Sequence, residues 1–174
     1  MSVADSLDRL NGLTGAEAEA VLIEVCGARR WAAAVGAARP FAGPAELAAA
    51  AEAAWDDLAR ADWVEAFASH PRLGENRRVS GGQASAWSRD EQAQVTAVGE
   101  PTRIGLAGAQ REYERRFGWP YIVCATGRSA EEILADCGAR LANDPEVEIA
   151  VAAAEERRIG RLRLTRLVTE GEER

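Results

Sequence analysis

Only one compact run in this 174-residue chain has the composition of a β-strand, Tyr121-Ile122-Val123-Cys124. A strand satisfies its backbone by pairing with another, and a lone one has no ladder to join. The surrounding stretch "WPYIVCATG" therefore reads as an extended, buried segment threaded between helices. Nearly everything else carries helical signals, so the expected class is all-α. The expectation is a single-domain bundle over residues 1–174, with about seven to nine helices and a short extended segment near 119–126.

The helices are marked by their ends. Thr14 caps a helix from Gly15 to about Cys26, and Gly27 stops it. "RRWAAAVGAAR" is a short helix ending before Pro40, after which "RPF" turns the chain. Pro44 suits a first helical position for "PAELAAAAEAAWDDLAR", and "ADWVEAFAS" follows until Pro71 terminates it at or before His70. "PRLGENRRVSGGQA" has three glycines and no helical period, which marks a loop. A helix resumes near Ser85 to Ser88 and runs through "RDEQAQVTAVG"; Pro101 opens another, which Gly118 stops. Ser129 and Glu132 have capping-box spacing, and Asp144-Pro145 opens a long last helix to about Thr169. Its expected apolar seam is Ile149, Ala152, Ile159, Leu162 and Leu167.

Composition narrows the chemistry. All 21 basic residues are arginine, so neither a Schiff-base lysine nor a P-loop lysine exists. Cys26, Cys124 and Cys137 lie far apart without a CxxC pair, and a single histidine argues against a Cys/His zinc site. The cysteines read as small buried apolar groups in a reducing compartment. A net charge of −7 disfavours phosphate backbones, and the basic "RRIGRLRLTR" is the end of an amphipathic helix. No apolar run reaches membrane-spanning length, and "MSVADSLDRL" is neither a secretory signal nor an Arg-rich transit peptide. Cytoplasm is the expected location, with no nucleic-acid or membrane partner.

Four places can carry chemistry. His70, the only histidine, sits between a helix and Pro71, and its imidazole suits acid–base work near neutral pH. Ser88, Glu91 and Gln92 share one helix face; Ser88 and Glu91 also read as a plain capping box, which does not need Gln92. One of Arg161, Arg163 and Arg166 can present a planar fork to a carboxylate, and periodicity does not decide which. The backbone of "GWPYIVCATG" must bond to side chains, water or a ligand, so it offers a surface for an amide or ureide.

These pieces, in order, resemble the 2-oxo-4-hydroxy-4-carboxy-5-ureidoimidazoline (OHCU) decarboxylase family. The resemblance rests on "RPF" (39–41), "HPRLGE" (70–75), "SRDEQ" (88–92), "YERRFGWPYIVCATGRS" (113–129), "RLAND" (140–144) and "RRIGRLRL" (157–164). It implies a cofactor-free, metal-free lyase on an all-helical fold, often a homodimer, that converts a small ureide, OHCU, to (S)-allantoin and carbon dioxide in uric acid breakdown. It also implies catalytic roles for His70, Glu91 and Arg163, and substrate contacts from Pro71, Ser88, Gln92 and the backbone of Tyr121, Ile122, Val123, Cys124 and Ala125. The chain departs from many relatives by having Trp119-Pro120-Tyr121 for Phe-Pro-Phe, a change of little consequence where the backbone makes the contact. It also lacks the peroxisomal tripeptide with which eukaryotic relatives often end, in keeping with the expected location. The competing readings are a cofactor-free hydrolase or racemase of a related ureide, and a non-catalytic helical interaction module.

Overall fold

The computed structural model describes residues 3–74, 87 and 99–169. Among these residues it contains eight helices and no strand: α1 (Val3–Gly12), α2 (Gly15–Cys26), α3 (Arg29–Ala37), α4 (Pro44–Asp56), α5 (Arg60–Ala68), α6 (Glu100–Phe117), α7 (Ala130–Arg140) and α8 (Pro145–Thr169). The all-α expectation holds. The helix expected from about Ser85 through Gly99 lies mostly outside the described residues.

The caps act as their residue types require. The Thr14 side chain accepts from the Glu17 amide, and the Glu17 carboxylate accepts from the Thr14 N–H at 2.9 Å. Ser129 and Glu132 repeat the exchange at the start of α7. Gly27 (φ 80°) and Gly118 (φ 85°) adopt the left-handed conformation that ends α2 and α6, each donating its N–H to a carbonyl four residues back.

The chain divides into two units. The first is Met1–Ala66 with Arg157–Arg174; the second is Phe67–Glu156. In the first, α2 packs on α3 and α3 on α4. Its core includes Leu22, Val25, Trp31, Val35 and Leu47, and the Trp31 indole donates to the Ala51 carbonyl at 2.9 Å. Arg39 gathers carbonyls at the end of α1, donating to Leu10 and Leu13 at 2.7 Å each, and also bonds the Gly36 carbonyl of α3 at 2.9 Å. Asn11 holds both the N–H and the carbonyl of Phe41 at 2.9 Å. The "RPF" turn is thus a clasp over helix ends.

In the second unit α6 packs on α7, and a polar cluster lies within its core. Arg140 donates to one Glu148 oxygen through Nε (2.8 Å) and Nη2 (2.6 Å), and to the Ile122 carbonyl through Nη1 (2.8 Å). Its guanidinium lies 4.7 Å from the Tyr121 ring centroid. The Tyr113 hydroxyl donates to Glu148, and the Asn143 side chain donates to its other oxygen at 2.7 Å. Asp144 receives the Glu146 N–H at 2.8 Å and caps α8. "RLAND" is therefore an internal fastening: Arg140 balances the charge of Glu148, Asn143 hydrogen-bonds to it, and Asp144 starts the next helix.

The stripe that α8 buries differs from the expected seam. Ile149, Ala152, Ala153, Glu156, Ile159, Gly160, Arg163, Leu164 and Leu167 are buried, whereas Leu162 is 39% exposed. Consecutive helical residues turn by about 100°, and Leu162 falls off the stripe that Ile149, Glu156 and Arg163 follow at seven-residue spacing. The helix buries three charged residues, Glu148, Glu156 and Arg163, and leaves a leucine in solvent.

Candidate active site

His70 follows the last turn of α5, its N–H bonded to the Phe67 carbonyl at 3.1 Å. Pro71, half-buried, prevents the helix from continuing. The next residues are tied to α6. Arg72 forms a two-pronged ion pair with Glu114 (2.6 and 2.5 Å). The Gln110 side chain accepts from the Leu73 N–H and donates to its carbonyl, both at 2.9 Å. Gln110 is 1% exposed, so this reciprocal pair is shielded from water. Arg72 and Leu73 are thereby both tied to α6.

The imidazole meets a carboxylate that the sequence reading did not single out. His70 Nε2 lies 2.7 Å from Oε2 of Glu156 on α8, and the two side chains are 9% and 0% exposed. The available signal was a glutamate on the apolar stripe of α8, where a charge without a partner would be costly. Ser88, Glu91 and Gln92 lie outside the described residues, as does the expected His70–Glu91 pairing.

The extended strip runs from Pro120 to Ala125 without helix or strand, as expected. Tyr121, Ile122, Val123 and Ala125 are buried. Two of its backbone groups meet side chains: Arg140 takes the Ile122 carbonyl, and Glu155 of α8 accepts the Cys124 N–H at 2.9 Å. The Tyr121 hydroxyl donates to Asp136 at 2.5 Å; burial and that carboxylate hold its pKa well above the ordinary range. Burial and Glu148 do the same for Tyr113, so both phenols remain protonated donors. Burial likewise pushes the Cys137 thiol up to about 12, which removes it as a nucleophile near neutral pH.

Arg163, in the first unit, is 3% exposed and donates to the Val25 carbonyl at 3.4 Å. That carbonyl belongs to the last turn of α2, where intrahelical partners run out. Arg161, by contrast, is exposed and paired with Glu52, while Arg166 is half-buried. Of the three candidate arginines, Arg163 is the one enclosed by protein.

The first unit also holds a partly open pocket of about 410 Å³, lined by Trp31, Leu47, Trp55 and Leu164 among others, with Glu52 and Arg157 in its wall. Neither Arg163 nor any residue of the second unit lines it. Among the described residues no group of three or more His, Cys, Asp or Glu side chains is placed to hold a metal ion.

Among the described residues the chain is all-helical, and its one imidazole stands against a buried carboxylate. A family model described as OHCU decarboxylase matches residues 11–165, and the chain belongs to that family. It is 36% identical over 141 residues to the 2-oxo-4-hydroxy-4-carboxy-5-ureidoimidazoline decarboxylase of Amia calva, covering 79% of each chain. It is 29% identical to the uric acid degradation bifunctional protein TTL of Arabidopsis thaliana, with 83% of this chain covered but only 45% of that longer protein. Its fold matches a crystal structure of OHCU decarboxylase in the presence of (S)-allantoin, with a TM-score of 0.73 and 28% identity, over 84% of this chain and 95% of that one.

Proposed function

We propose that this chain is a carboxy-lyase that converts OHCU to (S)-allantoin and carbon dioxide in uric acid degradation. The observation that carries the reading is the seat of His70: the chain's one imidazole, on a loop pinned to α6, within a stretch matched by the family. In this reaction the bond to the carboxylate breaks, and its electron pair passes into the conjugated ring. One proton is taken up for each carboxylate lost. The substrate supplies its own electron sink, so the catalyst needs only to position it and manage protons.

His70 is the proton-transfer group. Glu91 assists it, and Arg163 pairs with the anionic or carbonyl groups of the substrate. Pro71, Ser88, Gln92 and the backbone of Tyr121 through Ala125 hold the ring and the ureido arm. The burial of the strip and the enclosure of Arg163 support this division of labour. One-sided proton delivery gives a single enantiomer. The chain works as one functional domain, a reading supported by one family match that spans both units. It is a homodimer of the cytoplasm.

The test is to supply freshly generated OHCU and follow allantoin by circular dichroism. The purified chain should accelerate formation of the S enantiomer, and His70→Asn should lower kcat by about 10²- to 10⁴-fold while the fold persists. An S-allantoin rate no faster than spontaneous decay would sink the assignment. Light scattering on a sizing column checks the dimer.

A further inference from the structure

Glu156 lies on the buried stripe of α8, where most of the side chains are apolar. It is fully buried, and neither of its oxygens has a hydrogen-bond partner among the described residues. What stands opposite is His70, with Nε2 at 2.7 Å from Oε2, and Nε2 is buried with no other partner among the described residues. The separation suits a charge-assisted hydrogen bond. The contact falls short of hydrogen-bond geometry, and the outer torsion of a histidine is soft, so aligning the two asks only for rotation about that torsion. A carboxylate removed from water requires a donor or a cation, and the imidazole is the group this chain places there. Stability alone does not account for it, because an apolar side chain fills such a position equally well or better.

We propose that Glu156 is the positioning residue for His70: it holds the Nε2 edge of the ring, keeps the proton on Nε2, and leaves Nδ1 as the nitrogen that exchanges a proton with the ligand. The inference rests on the functional reading given above and sharpens it to a single atom. The His70 backbone is fixed on the other side by the Phe67 carbonyl and by the tethers from Arg72 and Leu73 to α6, so main chain and ring are both held. Two attachments of this kind set the ring's direction and its tautomer, as a carboxylate behind a catalytic imidazole does generally.

Because the chain has a single histidine, ¹⁵N-histidine labelling gives one imidazole with no overlap. In the neutral ring Nε2 should carry the proton and Nδ1 should be the bare nitrogen. Glu156→Gln should move both ring resonances and lower kcat on OHCU by about 100-fold, the low end of what acid–base catalysis contributes, with KM changed far less. Glu156→Met keeps the side-chain length without the charge and carries the same measurement if the glutamine variant does not fold. A bare Nε2 in the wild-type neutral ring overturns the proposal, and so do ring resonances that are identical in wild type and variant. The spectrum is read without substrate. A protein inert toward OHCU therefore removes the functional reading and leaves the ring assignment standing, whereas an active protein with a bare Nε2 removes this inference alone.

Discussion

Arg140 shows at the level of one residue how much a buried charge is asked to do. Its guanidinium serves Glu148 twice and the Ile122 carbonyl once, and Tyr113 and Asn143 complete the carboxylate's shell. Removing one member of such a group strands the others. Arg140→Met is expected to destabilise the chain by about 3 kcal/mol or more in urea unfolding. The double variant Arg140→Met/Glu148→Leu should recover part of that loss, because it removes both charges together. His70 was legible in the sequence because nothing else there can move a proton near neutral pH. Glu156 was not, because which carboxylate meets a histidine is decided by how helices pack, and the chain has 28 acidic residues to choose from. Arg163 was legible only through the resemblance. Periodicity did not decide among Arg161, Arg163 and Arg166, and Leu162, which the expected seam included, is exposed.

At the scale of elements, helix ends were read more reliably than helix faces. Thr14, Gly27, Gly118, Ser129 and Pro145 announce boundaries through local bonding, which a sequence displays directly. The first helix, α1, was missed: it buries Ser6, Leu7 and Leu10, too short an apolar pattern to stand out. Pairing between elements was also hidden. Glu52 of α4 receives Arg161 and Arg157 of α8, and these guanidiniums hold its pKa down at about 2 from the ordinary 4.5, against the opposing effect of partial burial. The folded state gains from this pair above the ordinary carboxylate pKa and loses it as pH falls through about 2. Thermal unfolding followed from pH 6 downward should show Glu52→Gln less stable than the parent at the upper end, with the two converging as pH drops from about 4.5 toward 2. A constant gap across that range would mean the pair contributes nothing that titrates.

At the scale of the whole molecule, the absence of lysine shapes the surface. All 21 basic side chains are guanidiniums, which keep their charge at any pH a protein survives and do not react with amine-directed esters. Intact-mass measurement after such labelling should therefore find one adduct per chain, at the terminal amine; a second adduct would contradict the sequence. None of the helices among the described residues is long and apolar enough to cross a membrane. The all-helical class was legible because a single β-like run cannot make a sheet. The grouping of helices into two units was not, since no change of composition marks where α5 or α8 passes from one to the other. The side chains that hold the extended strip have a consequence for its motion. Cys124 belongs to no regular element, yet its amide is committed to Glu155, and the neighbouring Ile122 carbonyl is committed to a buried arginine. Ordinary loops trade amide hydrogens with solvent through small local openings, whereas core groups wait for larger ones. The Cys124 amide should exchange as slowly as those of the α7 interior, so that the strip opens only when the helices around it do.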